Sequence, residues 1–260
     1  FRLALNKRAF YGDQLTMPEQ SQLLLNFPTR PEFDFSNFVV SDGSRFAFDA
    51  ARNFCSQSDP TFQSLFLFGQ KNLGKTHLLL SIGNLAAEKG TRALYIKGAD
   101  FCDKIGDGEP SQSQQTLKKL MEVDYFLLDD VEALGLSIAA QEKLYHIYNT
   151  VIEKGGKVAF ASYYSPDNIK NAENYLTSRF QWGMLAEIEP IDDTTTAKII
   201  HKLAKDIHLS LPENIIDFLL SRIPRDFISL QNAVKVLNRE SYVQKKKVTL
   251  PLLKKALKIP

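Results

Sequence analysis

The most regular part of the chain begins near residue 65, where short apolar runs alternate with longer amphipathic segments. The segments between the runs, such as "GKTHLLLSIGNLAAEKG" from residue 74, carry apolar residues at helical spacing and end at glycines. Strands that alternate with helices of this length predict a parallel sheet that is covered on both faces. The predicted strands are "LFLF" from residue 65, "RALYIKG" from 92, "DYFLLDD" from 124, "KVAFAS" from 157 and "MLAEIEP" from 184.

The pattern changes on either side of this region. After Pro190 the apolar runs stop, and four segments of helical periodicity follow. Residues 1–32 contain Gly12, Pro18, Pro28 and Pro31, which is typical of an irregular tail. We therefore predict a tail over residues 1–32, an α/β domain over 33–190 and a small helical domain over 191–260.

The composition indicates a globular protein and gives little further information about its class. Hydrophobic residues make up 44% and charged residues 24% of the 260 residues, as in an ordinary globular protein. The net charge of +2 gives no overall basic footprint for nucleic acid, although a local patch remains possible. Cys55 and Cys102 have no metal-site spacing, and no apolar run approaches the ~20 residues of a membrane span. We expect a cytoplasmic protein with reduced thiols and no membrane partner.

A phosphate-binding loop follows the first predicted strand. Gly69, Gly74, Lys75 and Thr76 fit the pattern G-x-x-x-x-G-K-[ST], in which glycines let backbone N–H groups wrap around phosphate oxygens. The lysine reaches the terminal phosphates, and the hydroxyl can bind Mg²⁺. The preceding strand and following helix are the expected context. The predicted nucleotide site also includes the loop residue Asn72 and the next helical residue, His77.

Two adjacent carboxylates complete the predicted site. Asp129 and Asp130 follow four apolar residues at the end of the third predicted strand, and ligands bind at that edge of a parallel sheet. We expect Asp129 to hold Mg²⁺ together with Thr76, and Asp130 to be available to polarise an attacking water. The predicted cofactors are ADP or ATP with Mg²⁺.

Five stretches of the chain carry a family resemblance. They are "FDFSNFVV", "LFLFGQKNLGKTHLLLSIGN", "VDYFLLDDVEAL", "LTSRFQWGMLAEIEP" and "VTLPLLKKAL". Together they resemble the bacterial replication initiators of the DnaA family, within the AAA+ ATPases, over about residues 33–258. The resemblance implies a P-loop AAA+ core of α/β class with a small C-terminal helical lid domain. The sequence stops at Pro260 before any DNA-reading domain, and in this respect it resembles the Hda group of DnaA regulators.

The resemblance also implies roles for residues outside the loop. Arg179 matches the arginine finger that reaches a neighbour's nucleotide, and Ser162 matches part of a polar sensor. The chain departs from the family where Tyr163 replaces the sensor acid and Ile228 replaces the lid arginine. Arg225, one helical turn earlier, is a candidate substitute. Whether the chain turns over its own ATP therefore stays open.

The tail contains a candidate docking motif, "QLLLNF". It resembles the peptide by which proteins of this group bind the DNA polymerase sliding clamp, with Gln22 and Leu23 at its start and Leu25 and Phe27 as apolar anchors. The alternative is that the segment forms a strand or packs on the core.

These features support three hypotheses. The first is a nucleotide-bound regulator that docks on the sliding clamp and promotes hydrolysis of DnaA-bound ATP. The second is a DnaA-like initiation ATPase or helicase-loader type of protein that binds single-stranded DNA. The third is a tethering module with a purely structural P-loop. Expected partners are the clamp, DnaA and, in a dimer or AAA+ oligomer, further AAA+ subunits, without sequence-specific DNA binding.

Overall fold

The α/β domain is built on one sheet whose strands match the predicted pattern. The computed structural model describes residues 25–27, 33–56, 62–106 and 110–258. The strands lie in the order β1-β3-β4-β5-β2-β6, and all neighbouring pairs are parallel except the edge pair β1–β3. The strands are β1 (Leu25–Asn26), β2 (Ser64–Gly69), β3 (Ala93–Lys97), β4 (Tyr125–Asp129), β5 (Lys157–Ser162) and β6 (Met184–Ile188).

Helices cover both faces of this sheet. Leu65 and Leu67 of β2 face one apolar cluster while Phe66 between them faces the other, so the strand is apolar at successive positions. The helices are α1 (Asp42–Phe54), α2 (Lys75–Glu88), α3 (Gly98–Phe101), α4 (Pro110–Leu120), α5 (Ile138–Glu153) and α6 (Asn174–Gln181).

Three short features differ from the sequence prediction. Helix α4 begins at Pro110, in a stretch where Gly and Pro would favour a loop. A π-helical turn, Cys102–Gly106, continues α3. Neither α3 nor α6 is long enough for apolar periodicity to reveal it, since α3 has 4 residues and α6 has 8.

The C-terminal domain consists of four helices, as predicted. They are α7 (Asp193–Asp206), α8 (Glu213–Arg222), α9 (Phe227–Gln244) and α10 (Leu250–Leu257). Asp192 caps α7 by accepting the Thr195 N–H at 2.6 Å. The buried side chains Ile200, Leu219 and Leu237 belong to the same cluster as one face of the sheet, so the lid packs directly on the α/β domain. The predicted fold class is confirmed.

Part of the predicted tail touches the sheet. β1 adds Leu25–Asn26 antiparallel to β3, and the half-buried Phe27 ring lies against Gly83 of α2. A Cβ at Gly83 would lie 2.0 Å from that ring, so the contact depends on the glycine. Gln22 and Leu23 of the candidate docking motif lie outside the described residues. None of the helices that the structure describes is long and apolar enough to cross a bilayer.

Candidate nucleotide and subunit-contact site

The phosphate loop has the backbone conformation that its glycines predict. Gly69 has φ 147° and Gly74 has φ 102°, both in the region that side chains disfavour. A Cβ at Gly69 would lie 2.3 Å from the Ile188 carbonyl oxygen. The loop therefore closes tightly against β6 because residue 69 has no side chain.

The loop lysine is held inside the loop. Lys75 is buried, and its Nζ donates to the carbonyl oxygens of Gly69 and Gln70, each at 2.7 Å. Burial lowers the pKa of Lys75, while the nearby Asp129 carboxylate acts in the opposite direction. The ammonium group thus sits at the mouth of the loop, where terminal phosphates would bind.

Thr76 and Asp129 meet as a P-loop magnesium site requires. The Thr76 hydroxyl donates to Asp129 Oδ2 at 2.6 Å, and the Tyr95 hydroxyl donates to the same oxygen at 2.9 Å. Asp129 is only 1% exposed, so these two bonds fix its carboxylate. A hydroxyl beside a buried carboxylate is a donor set that suits Mg²⁺, and these two residues fit that ion.

A carboxylate that the sequence analysis missed faces the predicted sensor. The buried Ser162 donates through Oγ to Glu132 Oε2 at 3.0 Å, and the Tyr163 N–H donates to the same oxygen at 3.1 Å. Glu132 therefore places an acid where Tyr163 lacks one. The closeness of Glu132 to Asp130 in the sequence was the one signal that could have marked it as a site residue. Its contact with Ser162 of β5 depends on how the loop folds.

Asp130 stands apart from its neighbour. Its backbone is left-handed, with φ 53°, so its side chain diverges from that of Asp129 although its N–H donates to Asp129 Oδ1 at 3.1 Å. Partial burial, and then the Asp129 charge, raise the pKa of Asp130. A raised pKa makes this carboxylate a stronger proton acceptor, in line with its predicted interaction with a water near a phosphate.

Asn72 and His77 contact other parts of the protein. The Asn72 carbonyl accepts the N–H of Phe227 in the lid at 3.4 Å. His77 Nε2 lies 2.9 Å from the Asp34 carbonyl oxygen, and its ring meets Phe33 and Phe38 edge-on. Since the His77 side chain is occupied in this way, its backbone N–H in the first helical turn is the group that can face a phosphate.

The lid presents no arginine in the predicted sensor position. Ile228 occupies that position and is 51% exposed. Arg225, the candidate substitute, donates through Nη2 to Asp193 at 2.6 Å. The guanidinium is thus engaged by a carboxylate of the lid itself.

Arg179 lies at the opposite edge of the sheet from the phosphate loop. Arg179 lies near the end of helix α6, four residues before Gly183, whose Cα lies against Ser64 at the start of β2. The phosphate loop follows Gly69 at the other end of β2, about 17 Å away at the usual rise of a strand. Arg179 therefore cannot serve the phosphate site of its own chain.

The guanidinium of Arg179 is supported on three sides. Nε donates to Asn149 Oδ1 and Nη2 to the Tyr145 hydroxyl, each at 3.1 Å. The group also stacks on Trp182 at 3.9 Å from the ring centroid. Trp182 is 69% exposed, and its described ring contact is this arginine. A supported arginine beside an exposed tryptophan forms a surface suited to a partner.

Comparison with known proteins identifies the family. Residues 29–187 match the family described as bacterial DnaA ATPase domain. The chain belongs to the DnaA family. Residues 193–257 match a second family, the lid domain of Hda, so a DnaA-type ATPase domain is followed by an Hda-type lid.

Individual relatives support the same family assignment. The chain is 30% identical over 240 residues to the DnaA of Wolinella succinogenes, covering 92% of this chain and 54% of that protein. It is similar to the crystal structure of domain III of Thermotoga maritima DnaA, with a TM-score of 0.80 and 31% identity over 89% of this chain and 98% of that one. The chain spans about half the length of the curated relatives it matches.

More distant structures extend the likeness to the AAA+ fold. DnaA from Aquifex aeolicus bound to AMPPCP gives a TM-score of 0.75 at 28% identity, covering 82% of this chain and 67% of that one. Thermotoga maritima RuvB gives 0.68 at 18% identity over 87% of this chain and 71% of that one, which shows a shared fold only. The predicted AAA+ core with a helical lid is confirmed.

Proposed function

We propose that this protein is a nucleotide-bound regulator of replication initiation that docks on the sliding clamp and promotes hydrolysis of ATP bound to a DnaA partner. The observation that carries the proposal is the position of Arg179. It lies at the sheet edge away from its own phosphate loop, is supported by aromatic side chains and is only partly buried.

ADP or ATP would bind at the phosphate loop. Lys75 would move from the loop carbonyls to the terminal phosphates, and Thr76 with Asp129 would hold Mg²⁺. A relative with 28% identity is bound to AMPPCP, an ATP analogue, which supports this assignment. Mg²⁺ would supply charge neutralisation on the phosphates.

Turnover of the protein's own ATP is expected to be slow. The lid offers Ile228 in place of an arginine, and Arg225 is paired with Asp193. Ser162 donates to Glu132, so the sensor hydroxyl is engaged by a carboxylate, which repels phosphate. The nucleotide would then serve mainly to hold the lid and the α/β domain in one arrangement.

The partner's ATP is the proposed target of Arg179. A fixed positive charge on the developing phosphate charge is worth about 10³–10⁵-fold in rate in related reactions. We expect Arg179→Ala to abolish stimulation of ATP hydrolysis by full-length DnaA in single-turnover assays with loaded clamp, and Arg179→Lys to restore a small part of it. Arg45→Ala, an exposed arginine on α1, is the matched control. Full stimulation by Arg179→Ala would refute the role.

Clamp docking is a separate element of the proposal. Phe27 would have to leave Gly83 to enter a pocket of the clamp, because one ring cannot occupy both sites. We expect Leu25→Ala with Phe27→Ala to lose capture by immobilised clamp, and Gln22→Ala to weaken it. Thermal unfolding of each variant separates lost docking from lost folding. Unchanged capture by the double variant would end the clamp proposal.

A second candidate function is supported by one relative. A DnaA with 27% identity has been solved bound to AMPPCP and single-stranded DNA. The match covers 83% of this chain and 69% of that one. A helicase-loader or initiator role predicts nucleotide-dependent binding of single strands by the protein alone. Tight single-strand binding without any effect on DnaA-bound ATP would favour this candidate over the regulator.

A further inference from the structure

Charge is divided unevenly between the two domains. Residues 193–260 contain 13 Lys and Arg but only 6 Asp and Glu, whereas residues 1–192 contain 19 and 24. The lid thus carries a net charge of +7 and the rest of the chain −5, although the whole chain is nearly neutral. The overall balance conceals a strongly basic lid.

Six exposed lysines lie within residues 245–258 of the lid and are here called the lysine surface. They lie at the end of α9, in the following turn and along α10, and all are exposed. The opposite side of α10 is buried through Leu252 and Leu253, so Lys254, Lys255 and Lys258 point away from the lid core. The six are Lys245, Lys246, Lys247, Lys254, Lys255 and Lys258.

Little within the protein neutralises this surface. The sequence has no acidic residue between Ser241 and Lys258. Among the residues that the structure describes, no ion pair involves any of the six lysines. Lys254 lies 5.6 Å from the centre of the Phe218 ring, which is its described partner. Six like charges in this arrangement repel one another and favour a polyanion.

The chemistry of the surface indicates which polyanion fits. Lysines bind phosphates as point charges, whereas base recognition usually needs arginine or amide side chains, of which this stretch has only Gln244. Single-strand binding usually needs several stacking aromatics, and Tyr242 is the exposed aromatic residue next to the lysines, at 78%. Helix α10 is about 12 Å long, enough to follow several phosphates of a duplex.

We infer that the lysine surface of the lid binds the phosphate backbone of duplex DNA without reading its sequence. Duplex binding by the lysine surface does not depend on the proposed function. The role of this binding in a clamp-docked regulator rests on the proposed function. A protein docked on a clamp that encircles DNA is close to the duplex, so a weak contact becomes effective through high local concentration. The lid would then orient the docked protein on the DNA.

The test measures duplex binding by the full chain. Fluorescence anisotropy with a labelled duplex of random sequence would be recorded at about 50 to 200 mM salt. We expect Lys246→Glu/Lys247→Glu/Lys255→Glu to lose affinity at least tenfold and to reduce the slope of log affinity against log salt by about 2 to 3. These three lysines are exposed, and none has a positive φ.

A control variant carries the same change of charge on the other domain. Lys118→Glu/Lys119→Glu/Lys170→Glu alters three exposed lysines of the α/β domain and should bind duplex like the wild type. If the lid variant is misfolded by circular dichroism, the corresponding Lys→Gln variant gives the same comparison with a smaller loss. Equal loss in both variants, or no loss in the lid variant, overturns the inference.

Four further outcomes are decisive. Preferential binding of single strands at the lysine surface would overturn the inference, and so would binding of phosphatidylserine vesicles without binding of duplex. Clamp capture is measured on the same variants. If the wild-type protein captures the clamp but does not bind the duplex, the lid inference alone is refuted. If the wild-type protein binds the duplex but does not capture the clamp, the docking proposal alone is refuted.

Discussion

The two edges of the sheet hold their charged groups in opposite ways. At the carboxyl edge, Lys75 and Asp129 are buried and fixed by hydrogen bonds to the loop backbone, Thr76 and Tyr95. At the amino edge, Arg179 is only partly buried and rests on an exposed tryptophan. The first arrangement is suited to enclosing a ligand within one chain, and the second leaves a charged group partly exposed to another molecule.

This difference indicates where each edge can tolerate change. A buried polar group that loses its hydrogen-bond partner is destabilised by its full desolvation free energy. Single substitutions at the phosphate edge should therefore have large effects. The contact between Arg179 and the exposed Trp182 contributes less binding free energy, because water can replace part of it when the ring is removed. The predictions below vary one edge at a time.

The largest effect is expected at the phosphate edge. Lys75→Ala should lower nucleotide affinity by about 100-fold or more, since it removes the charge that reaches the terminal phosphates. Isothermal titration with ATP and ADP measures this loss. Lys71→Ala, an exposed lysine in the same loop, should bind nearly as the wild type does. Equal affinities of the two variants would mean that the loop does not bind phosphate through Lys75.

A smaller effect is expected at the amino edge. Trp182→Ala should reduce stimulation of DnaA-bound ATP hydrolysis by about tenfold, because the cation–π contact that orients Arg179 is worth roughly 1 kcal/mol or more. Trp182→Phe should retain most of the stimulation, and neither variant should change nucleotide affinity or thermal stability. If Trp182→Ala stimulated fully, the aromatic support of Arg179 would be irrelevant to its role.

The smallest effect is expected at the edge strand. Gly83→Ala places a methyl group where the Phe27 ring packs and should release that ring from α2. Clamp affinity should rise roughly fivefold, since partial burial of one phenylalanine is worth about 1 kcal/mol. Gly90→Ala is a poor control because of its positive φ, so Ala87→Gly on the same helix serves instead. Weaker clamp binding by Gly83→Ala would contradict the competition.

Much of the phosphate edge could be predicted because its signals are local in sequence. The run from Leu65 through Thr76 contains a strand, a loop and a helix start in direct succession. The Thr76–Asp129 contact was also predictable, since both residues follow strands of one parallel sheet and meet at the same edge.

The remaining contacts depend on how distant segments pack. Ser162 donates a hydrogen bond to Glu132, 30 residues away in the sequence. Arg179 likewise donates to Asn149 of α5, which is also 30 residues away. Nothing in the residues around Trp182 distinguishes a buried tryptophan from an exposed one. The charge of the lid was visible in the sequence, but only the structure shows that the lysines of α10 are exposed while Leu252 and Leu253 are buried.

The central claim is that Arg179 acts on a partner's ATP and not on the protein's own. The most direct measurement places γ-labelled ATP either on this protein or on full-length DnaA, mixes the two on clamp-loaded DNA and follows phosphate release over a single turnover. The account predicts rapid release from labelled DnaA, slow release from this protein, and loss of only the rapid phase with Arg179→Ala. Rapid release from this protein's own label, unaffected by Arg179→Ala, would contradict it.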